Sequence, residues 1–116
     1  MNNILEKFKK ELLESCVPFW LKNGVDKEYG GIITCLDRKG EIYSEDKSVW
    51  MQGRAGWMFS YIYNNIEKKP EYLDFAKSCI DFATKYCIDE DGRMFFTVTR
   101  DGKPLRKRRY WFSETF

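Results

Sequence analysis

Histidine is absent from the 116 residues of this sequence, and its absence excludes more chemistry than any other feature of the composition. Residues 1–116 cannot by themselves form a Ser/His/Asp triad, a Cys/His dyad or a histidine-ligated metal site. A histidine general base is excluded from this stretch for the same reason. A reaction that moves protons through imidazole groups therefore needs side chains other than these.

Long apolar runs and a strong net charge are also missing. No apolar run approaches the ~18 residues of a membrane-spanning helix, and Met1 to Glu6 lack the basic start and apolar core of a signal peptide. The 20 basic and 18 acidic residues leave a net charge of +2, which is too small for a general nucleic-acid binder. We expect a soluble, cytoplasmic protein that binds neither membranes nor nucleic acid.

The four cysteines follow neither the CxxC pattern nor the spacing of metal ligands. They are Cys16, Cys35, Cys79 and Cys87. Isolated cysteines of this kind are usually buried, reduced thiols that pack as small apolar side chains. The sequence therefore predicts four buried free thiols and no metal site.

Aromatic residues, in contrast, make up 17 % of the chain, with 4 Trp, 7 Tyr and 9 Phe. A core of this size rarely uses so many rings. The excess predicts either an aromatic-lined pocket or an aromatic surface that contacts further structure.

Hydrophobic periodicity predicts three helices of two kinds. Segments 3–16 and 70–87 each carry one apolar stripe, which is typical of helices with one face toward the core and one toward water. Pro18 is expected to end or kink the first helix, although a further turn toward a stop at Gly24 is compatible with the sequence. Segment 48–65 is apolar nearly all round and has a stripe of small residues, so we expect burial on every side and a close neighbour.

Two β-hairpins are predicted between and after these helices. The first covers residues 29–43, and the second runs from 93–98 through a turn and back over 105–112. Ser113 follows as the expected N-cap of another helix. The chain therefore alternates outer helix, hairpin and inner helix.

The two hairpins match one another at an offset of 62 residues. At this offset Gly30 coincides with Gly92, and Arg38 coincides with Arg100. Each repeat unit would consist of a hairpin, an inner helix and an outer helix. Because such units typically need at least about three neighbours for stability, we expect this sequence to be part of a longer array.

Five blocks of the sequence, in order, are typical of one family and together cover nearly the whole chain. They are PFWL at 18–21, YGGIITCLDRKG at 29–40, VWMQGRAGWM at 49–58, GRMFFTVTRDG at 92–102 and RYWFSETF at 109–116. On these blocks the sequence resembles the N-acylglucosamine 2-epimerase family, which includes the renin-binding proteins and related sugar epimerases and isomerases.

The resemblance implies a mostly α-helical fold that forms part of an (α/α)6 toroid, with six inner and six outer helices around a sugar-binding pocket. Residues 1–116 would be the N-terminal portion of that single domain, about one third of the full barrel, with no internal domain boundary. The alternation of outer and inner helices predicted from periodicity agrees with this architecture.

The resemblance also implies a reaction, the interconversion of N-acyl-D-glucosamine and N-acyl-D-mannosamine. The open-chain sugar would lose its C2 proton to a base and regain one on the other face. In the family this acid/base pair is two histidines, so residues 1–116 alone are expected to be inactive. The alternatives are a related aldose–ketose isomerase or disaccharide 2-epimerase, or a non-catalytic binding or interaction module.

Arg54 is the catalytic candidate in this stretch, because its Gln-Gly-Arg block lines the pocket in the family. A forked, permanently charged guanidinium would stabilise negative charge on the sugar oxygen during proton abstraction. Its surroundings of aromatic residues predict that Arg54 is buried and therefore needs a partner. The alternative is a structural ion pair with Glu28, with Glu45 or with a residue outside this sequence.

Six further residues are substrate-binding candidates, although aromatic stripes at helical spacing more often form core. They are Trp50, Trp57, Tyr61, Tyr110, Phe112 and Glu114. The rings on the inner helix would stack on sugar C–H groups. The last three residues are expected near the pocket mouth, where the returning strand meets the next helix.

The basic run 106–109 has two interpretations. A solvated hairpin edge accounts for it, because side chains in a strand alternate between faces. A phosphate site is the alternative, since some family members are stimulated by nucleotide. We therefore expect no required cofactor, with ATP as a candidate activator; the resemblance also allows a homodimer of the full-length protein.

Overall fold

Helices dominate the computed structural model, which describes residues 2–116. The helices are α1 (Asn2–Glu11), α2 (Val17–Asn23), α3 (Val49–Asn65), α4 (Pro70–Tyr86) and α5 (Tyr110–Glu114). Three short strands, β1 (Lys47–Ser48), β2 (Thr97–Val98) and β3 (Pro104–Arg106), form an antiparallel sheet in the order β1-β2-β3. The mostly α-helical class predicted from the sequence is confirmed.

The first helix does not end at Pro18. A π-helical turn over Leu12–Cys16 joins α1 to α2, and within it the Val17 amide donates to the Leu12 carbonyl. Proline lacks an amide donor and clashes with a regular helix ladder, whereas α2 places Pro18 in its first turn, where no donor is needed. The helix then stops at Asn23, immediately before Gly24, as the sequence indicates.

The apolar stripe of α1 does not face the core, contrary to the prediction. Ile4, Leu5 and Phe8 are each more than 60 % exposed. The helix packs mainly against the π-helical turn that follows it. No segment within residues 2–116 covers this stripe.

The core lies between α3 and α4, which pack along one another. Phe59 and Cys79 are fully buried between them, and Tyr72 and Phe75 enclose Phe59 at ring distances of 6.1 and 4.7 Å. The helices approach closely because a Cβ at Gly56 would lie 2.6 Å from the Ile80 side chain. The predicted role of the small-residue stripe is thereby confirmed.

The cysteines divide into two groups. Cys79 and Cys87 are buried, and desolvation raises the pKa of each thiol to about 12. Cys16 is exposed and Cys35 is half-buried, so the prediction of four buried thiols is wrong for these two. Cys16 lies on the side of the π-helical turn that faces water. All four are free thiols.

The first predicted hairpin forms, but isolated bridges hold it instead of regular strands. Val25 pairs with Ile32 and Leu36 pairs with Ile42. The tight turn over 37–40 closes through the Gly40 amide, which donates to the Asp37 carbonyl at 3.0 Å.

The second hairpin is shorter than predicted. Its strands are β2 and β3, and residues 107–109 form a turn instead of continuing the strand. Helix α5 begins at Tyr110 after Arg109, which adopts a left-handed conformation with φ of 73°. Ser113 is therefore inside α5 and not its N-cap, and its buried hydroxyl has no partner among the described residues.

The 62-residue repeat is confirmed by hydrogen bonding. The Gly102 amide donates to the Thr99 carbonyl at 3.0 Å, which reproduces the Gly40–Asp37 bond of the first hairpin. Both glycines have φ of 91°. The two hairpins are thus copies of one unit at the predicted offset.

Two glycines with nearly equal φ provide a matched test of local packing. Gly31 (φ 77°) has no room for a side chain, since a Cβ would lie 2.5 Å from Gln52 Oε1 and 3.2 Å or less from Phe82. Gly92 (φ 79°) has no atom within 4 Å of that position.

We expect Gly92→Ala to lower the free energy of unfolding by about 1–2 kcal/mol, the cost of a left-handed alanine. Gly31→Ala is expected to cost a further ~1–3 kcal/mol from overpacking. Urea denaturation followed by circular dichroism measures both variants. Equal losses for the two would show that the Gln52 contact does not restrict this position.

Candidate functional site

Helix α3 presents Arg54, Trp57 and Tyr61 on one exposed stripe. Trp57 is 62 % and Tyr61 is 48 % exposed, and Arg54 is also exposed. The predictions that Arg54 is buried and that α3 is covered on every side are therefore wrong. The physical reason is that α4 packs against the opposite, small-residue side, while only the end of the α5 segment reaches the Arg54 side.

A groove of about 310 Å³ lies beside this stripe and is lined by Arg54, Trp57, Thr115 and Phe116. The Arg54 guanidinium lies over the Phe116 ring at 4.9 Å from its centroid. Gly53 makes this approach possible, because a Cβ there would lie 2.6 Å from the Phe116 carbonyl oxygen. The groove thus combines one cation with two aromatic faces.

Trp50 packs against two other rings, of which Phe116 lines the groove. Its ring centroid lies 5.6 Å from that of Phe112 and 5.2 Å from that of Phe116. Trp50 and Phe112 are half-buried, so both belong to an aromatic cluster that joins α3 to α5. This arrangement favours the core interpretation for Trp50.

Trp57 and Tyr61 stack on one another, with ring centroids 5.3 Å apart and an interplanar angle of 25°. They lie on successive turns of α3 after Arg54. Together they form a flat aromatic surface that begins at the groove and continues along the helix.

Tyr110 and Glu114 lie in a different group from Arg54. Arg93 stands 4.7 Å from the Tyr110 ring centroid and forms an ion pair of 2.9 Å with Glu114. The other Glu114 carboxylate oxygen accepts the Met94 amide at 3.1 Å. These contacts anchor α5 to the second hairpin. The predicted residues therefore separate into a set on the exposed stripe beside the groove, the aromatic cluster of Trp50 and Phe112, and this anchoring pair.

Gln52, the residue before Gly53 in the Gln-Gly-Arg block, fixes the start of α3. Its fully buried side chain accepts the Ile32 amide at 2.8 Å and donates to the Ile32 carbonyl at 2.9 Å. These two hydrogen bonds therefore attach the first hairpin to α3, the helix that carries Arg54.

A buried ion-pair network that sequence reasoning missed joins both hairpins to β1, the strand that leads into α3. Lys47 and Asp26 are buried, and Lys47 Nζ donates to Asp26 Oδ2 at 2.8 Å. Lys47 also donates to the carbonyls of Gly30 at 2.7 Å and Arg100 at 2.9 Å, which satisfies all three ammonium protons. We call these three charged residues, Asp26, Lys47 and Arg100, the hairpin network.

Arg100 completes the hairpin network from the second hairpin. Its Nε donates to Asp26 Oδ2 at 3.0 Å and its Nη2 donates to Oδ1 at 3.1 Å. Burial by itself would raise the pKa of Asp26, but the hydrogen bonds from Arg100, Lys47 and backbone amides hold that pKa well below its usual range. Burial lowers the pKa of Lys47.

The carboxylates proposed as ion-pair partners of Arg54 are used elsewhere. Glu28 lies 3.5 Å and Glu45 lies 2.7 Å from the Arg100 guanidinium. Within residues 2–116, no salt bridge reaches Arg54, which leaves its charge available to the groove. The alternative of a structural ion pair with Glu28 or Glu45 is therefore wrong, and an ion pair with a residue outside this sequence stays a prediction.

The basic run 106–109 does not form one continuous strand edge. Lys107 pairs with Asp89 at 2.5 Å and with Asp91 at 2.6 Å, and Arg106 lies 5.3 Å from the Phe96 ring centroid. Arg109 initiates α5. Two of the four cations thus have partners in the second hairpin.

None of the helices described is long and apolar enough to cross a membrane. Among residues 2–116, no group of three or more His, Cys, Asp or Glu side chains is arranged to hold a metal ion.

Solved structures with a similar backbone fold include sugar epimerases and an isomerase, which are built as (α/α)6 toroids. A sugar epimerase from a ruminal bacterium superposes with a TM-score of 0.80 at 31 % identity, over 90 % of this chain and 27 % of that one. Cellobiose 2-epimerase from Bacillus thermoamylovorans gives a TM-score of 0.81 at 30 % identity, with coverages of 91 % and 27 %. The fold is part of such a toroid, and the predicted share of one third is corrected to about a quarter.

The chain belongs to the N-acylglucosamine 2-epimerase family, whose model matches residues 30–116. It is 40 % identical to the N-acylglucosamine 2-epimerase of Bos taurus and 39 % identical to that of Homo sapiens, each over 108 residues. These alignments cover 90 % of this chain, but only 26 % and 25 % of those relatives. The chain therefore spans about a quarter of the length of the curated relatives it matches.

Proposed function

We propose that residues 1–116 form one wall of the sugar site of an enzyme that interconverts N-acyl-D-glucosamine and N-acyl-D-mannosamine. One observation carries the proposal. The Arg54 guanidinium has no carboxylate partner among residues 2–116 and stands at an aromatic groove on α3. The identity of about 40 % to N-acylglucosamine 2-epimerases supports this choice of substrate.

In the proposed reaction the sugar ring first opens, so that the C2 hydrogen lies next to the C1 aldehyde. A histidine outside this sequence removes the C2 proton, and the electron pair of the C–H bond forms a C1–C2 double bond. The π electrons of the carbonyl group move onto the C1 oxygen, which gives an enolate. A second histidine returns a proton to the opposite face of C2, which restores the aldehyde. No atom is gained or lost, so the reaction needs no co-reactant.

Arg54 acts on the charge that develops during the first step. A guanidinium directed at the carbonyl oxygen stabilises the enolate more than the neutral aldehyde, and only such differential stabilisation raises the rate. The Phe116 ring under Arg54 holds the guanidinium without neutralising it. We therefore assign Arg54 the role of electrostatic stabiliser.

The stacked pair Trp57 and Tyr61 is the proposed platform for the C–H face of the sugar. Phe112 and Trp50 each pack against the Phe116 ring, which lines the groove. Substrate contacts by Tyr110 and Glu114 stay a prediction.

A second candidate function is a disaccharide 2-epimerase or an aldose–ketose isomerase on the same toroid. Cellobiose 2-epimerase from Dictyoglomus turgidum is 29 % identical over 119 residues, which supports this alternative. A non-catalytic binding module is the third possibility. The proposal also includes a cytoplasmic location, no required cofactor, ATP as an activator and a homodimer of the whole protein.

A chimaera tests the proposed function. The segment of the Bos taurus enzyme that aligns with this chain is replaced by this chain, so that the remaining sequence supplies its histidines. We expect conversion of N-acetylmannosamine to N-acetylglucosamine, measured by chromatography, and little action on cellobiose or mannose. Activity on cellobiose alone would favour the second candidate, and a folded chimaera with no activity on any of these sugars would overturn both.

A further inference from the structure

Gln52 and Glu114 occupy the same place in the two repeat units, because they are 62 residues apart. Gln52 Oε1 accepts the Ile32 amide at 2.8 Å, and Glu114 Oε1 accepts the Met94 amide at 3.1 Å. Ile32 and Met94 are themselves separated by 62 residues. Each of these two side chains therefore ties the beginning of a helix, α3 or α5, to the hairpin that precedes it.

The residues two positions further along also correspond, and they meet at the groove. Arg54 follows Gln52 and Phe116 follows Glu114, each two residues later. The Arg54 guanidinium lies over the Phe116 ring at 4.9 Å from its centroid. One repeat position, taken from each unit, therefore supplies both partners of this cation–ring contact.

Gln52 and Glu114 differ in how their second polar atom is used. The Gln52 amide nitrogen donates to the Ile32 carbonyl at 2.9 Å. A carboxylate cannot donate in this way, and Glu114 Oε2 instead pairs with the Arg93 guanidinium at 2.9 Å. Arg93 and Met94 are adjacent in the second hairpin, so both carboxylate oxygens of Glu114 are held by one short segment.

We propose that Glu114 is a positioning residue, which holds Phe116 under the Arg54 guanidinium and so fixes where that charge stands at the groove. The inference rests on the proposed function, and it gives Glu114 a role other than the predicted contact with substrate. The residues that line the groove include Arg54 and Phe116 but not Glu114.

The position of the Arg54 guanidinium depends on this arrangement because few other contacts restrain it. The side chain is exposed, and within residues 2–116 no salt bridge reaches it. Misplacement of a reacting group by ~1 Å can cost about 10²-fold in rate. Loss of the Glu114 contacts should therefore slow the reaction although Glu114 acts only through Phe116 and Arg54.

Steady-state kinetics of the chimaera separates positioning from contact with the sugar. We expect Glu114→Ala to lower the turnover number about 10–10²-fold with little change in KM, because the lost stabilisation belongs to the transition state. Glu114→Gln should keep most of the rate, since its amide oxygen can still accept the Met94 amide. Glu90→Ala is the control, because it removes another exposed carboxylate beside the second hairpin and should leave the rate unchanged. A raised KM at unchanged turnover would overturn the proposal in favour of substrate contact.

A double-variant cycle shows whether the effect of Glu114 passes through Arg54. In the Arg54→Ala chimaera, Glu114→Ala should lower turnover by less than about twofold, because the group that it positions is already gone. A further loss as large as the one in the wild-type background would contradict the assignment.

Hydrogen exchange tests the Glu114 contact without relying on activity. The Met94 amide of the chimaera is expected to exchange at least about tenfold faster in Glu114→Ala, because it loses its acceptor, and at the wild-type rate in Glu114→Gln. Exchange is followed by mass spectrometry of the peptide that contains Met94. Unchanged exchange in Glu114→Ala overturns the inference whatever the activity, whereas an inactive wild-type chimaera contradicts the proposed function alone.

Discussion

Replacement of Arg54 by alanine lowers the turnover number of the chimaeric epimerase by about 10²–10³-fold, the usual loss when one electrostatic stabiliser is removed. The side chain is exposed and makes no salt bridge within residues 2–116, so its removal leaves no buried charge behind. The chimaera should therefore keep its circular dichroism spectrum and its melting temperature. Steady-state kinetics with N-acetylmannosamine measures the effect.

Two further variants test whether the charge of Arg54 or its forked donor pair matters, and whether the effect is specific to this arginine. Arg54→Lys keeps the charge but loses the forked donor pair, and we expect it to recover only part of the rate. Arg108→Ala removes another exposed arginine and should leave turnover unchanged. Normal turnover of Arg54→Ala would contradict the assigned role.

Replacement of Asp26 by alanine lowers the free energy of unfolding by about 3–5 kcal/mol, because it leaves the fully buried Lys47 ammonium without its counter-charge. Arg100 loses its fork at the same time. A domain of ordinary stability, about 5–15 kcal/mol, loses much of its margin. Guanidinium denaturation followed by circular dichroism measures the loss.

The double variant Asp26→Leu/Lys47→Met is the control, because it removes both buried charges and should be more stable than Asp26→Ala.

The sign of the pH dependence follows from the lowered pKa of Asp26. The stability that Asp26 contributes is complete above the ordinary carboxyl pKa of 3.8 and is lost as pH falls below it toward the folded-state pKa. In Asp26→Asn the free energy of unfolding should depend less on pH in this acidic range. An unchanged pH dependence would argue against the hairpin network.

Local patterns predicted the parts of the fold that depend on neighbours in sequence. The helix stop before Gly24, the close approach at Gly56 and the equivalence of Gly40 with Gly102 each follow from residue type and spacing. The family blocks likewise predicted the toroid and the family.

Features that depend on distant segments were not predictable in the same way. Whether the stripe of α1 and the Arg54 side of α3 are covered depends on which segments reach them, and periodicity reports only that these faces are apolar. The hairpin network joins Asp26 to Arg100 across 74 positions. The repeat aligned Arg100 with Arg38, but nothing in the spacing indicated that Asp26 receives it.

Exchange of the C2 hydrogen with solvent tests the central claim most directly, because it reports proton abstraction itself. The chimaera is incubated with N-acetylmannosamine in deuterated water, and label at C2 is followed by proton NMR. We predict that label enters C2 with the chain's own Arg54 and enters at least about 10²-fold more slowly with Arg54→Ala. Equal rates of labelling in the two would show that the wall formed by α3 does not stabilise the enolate.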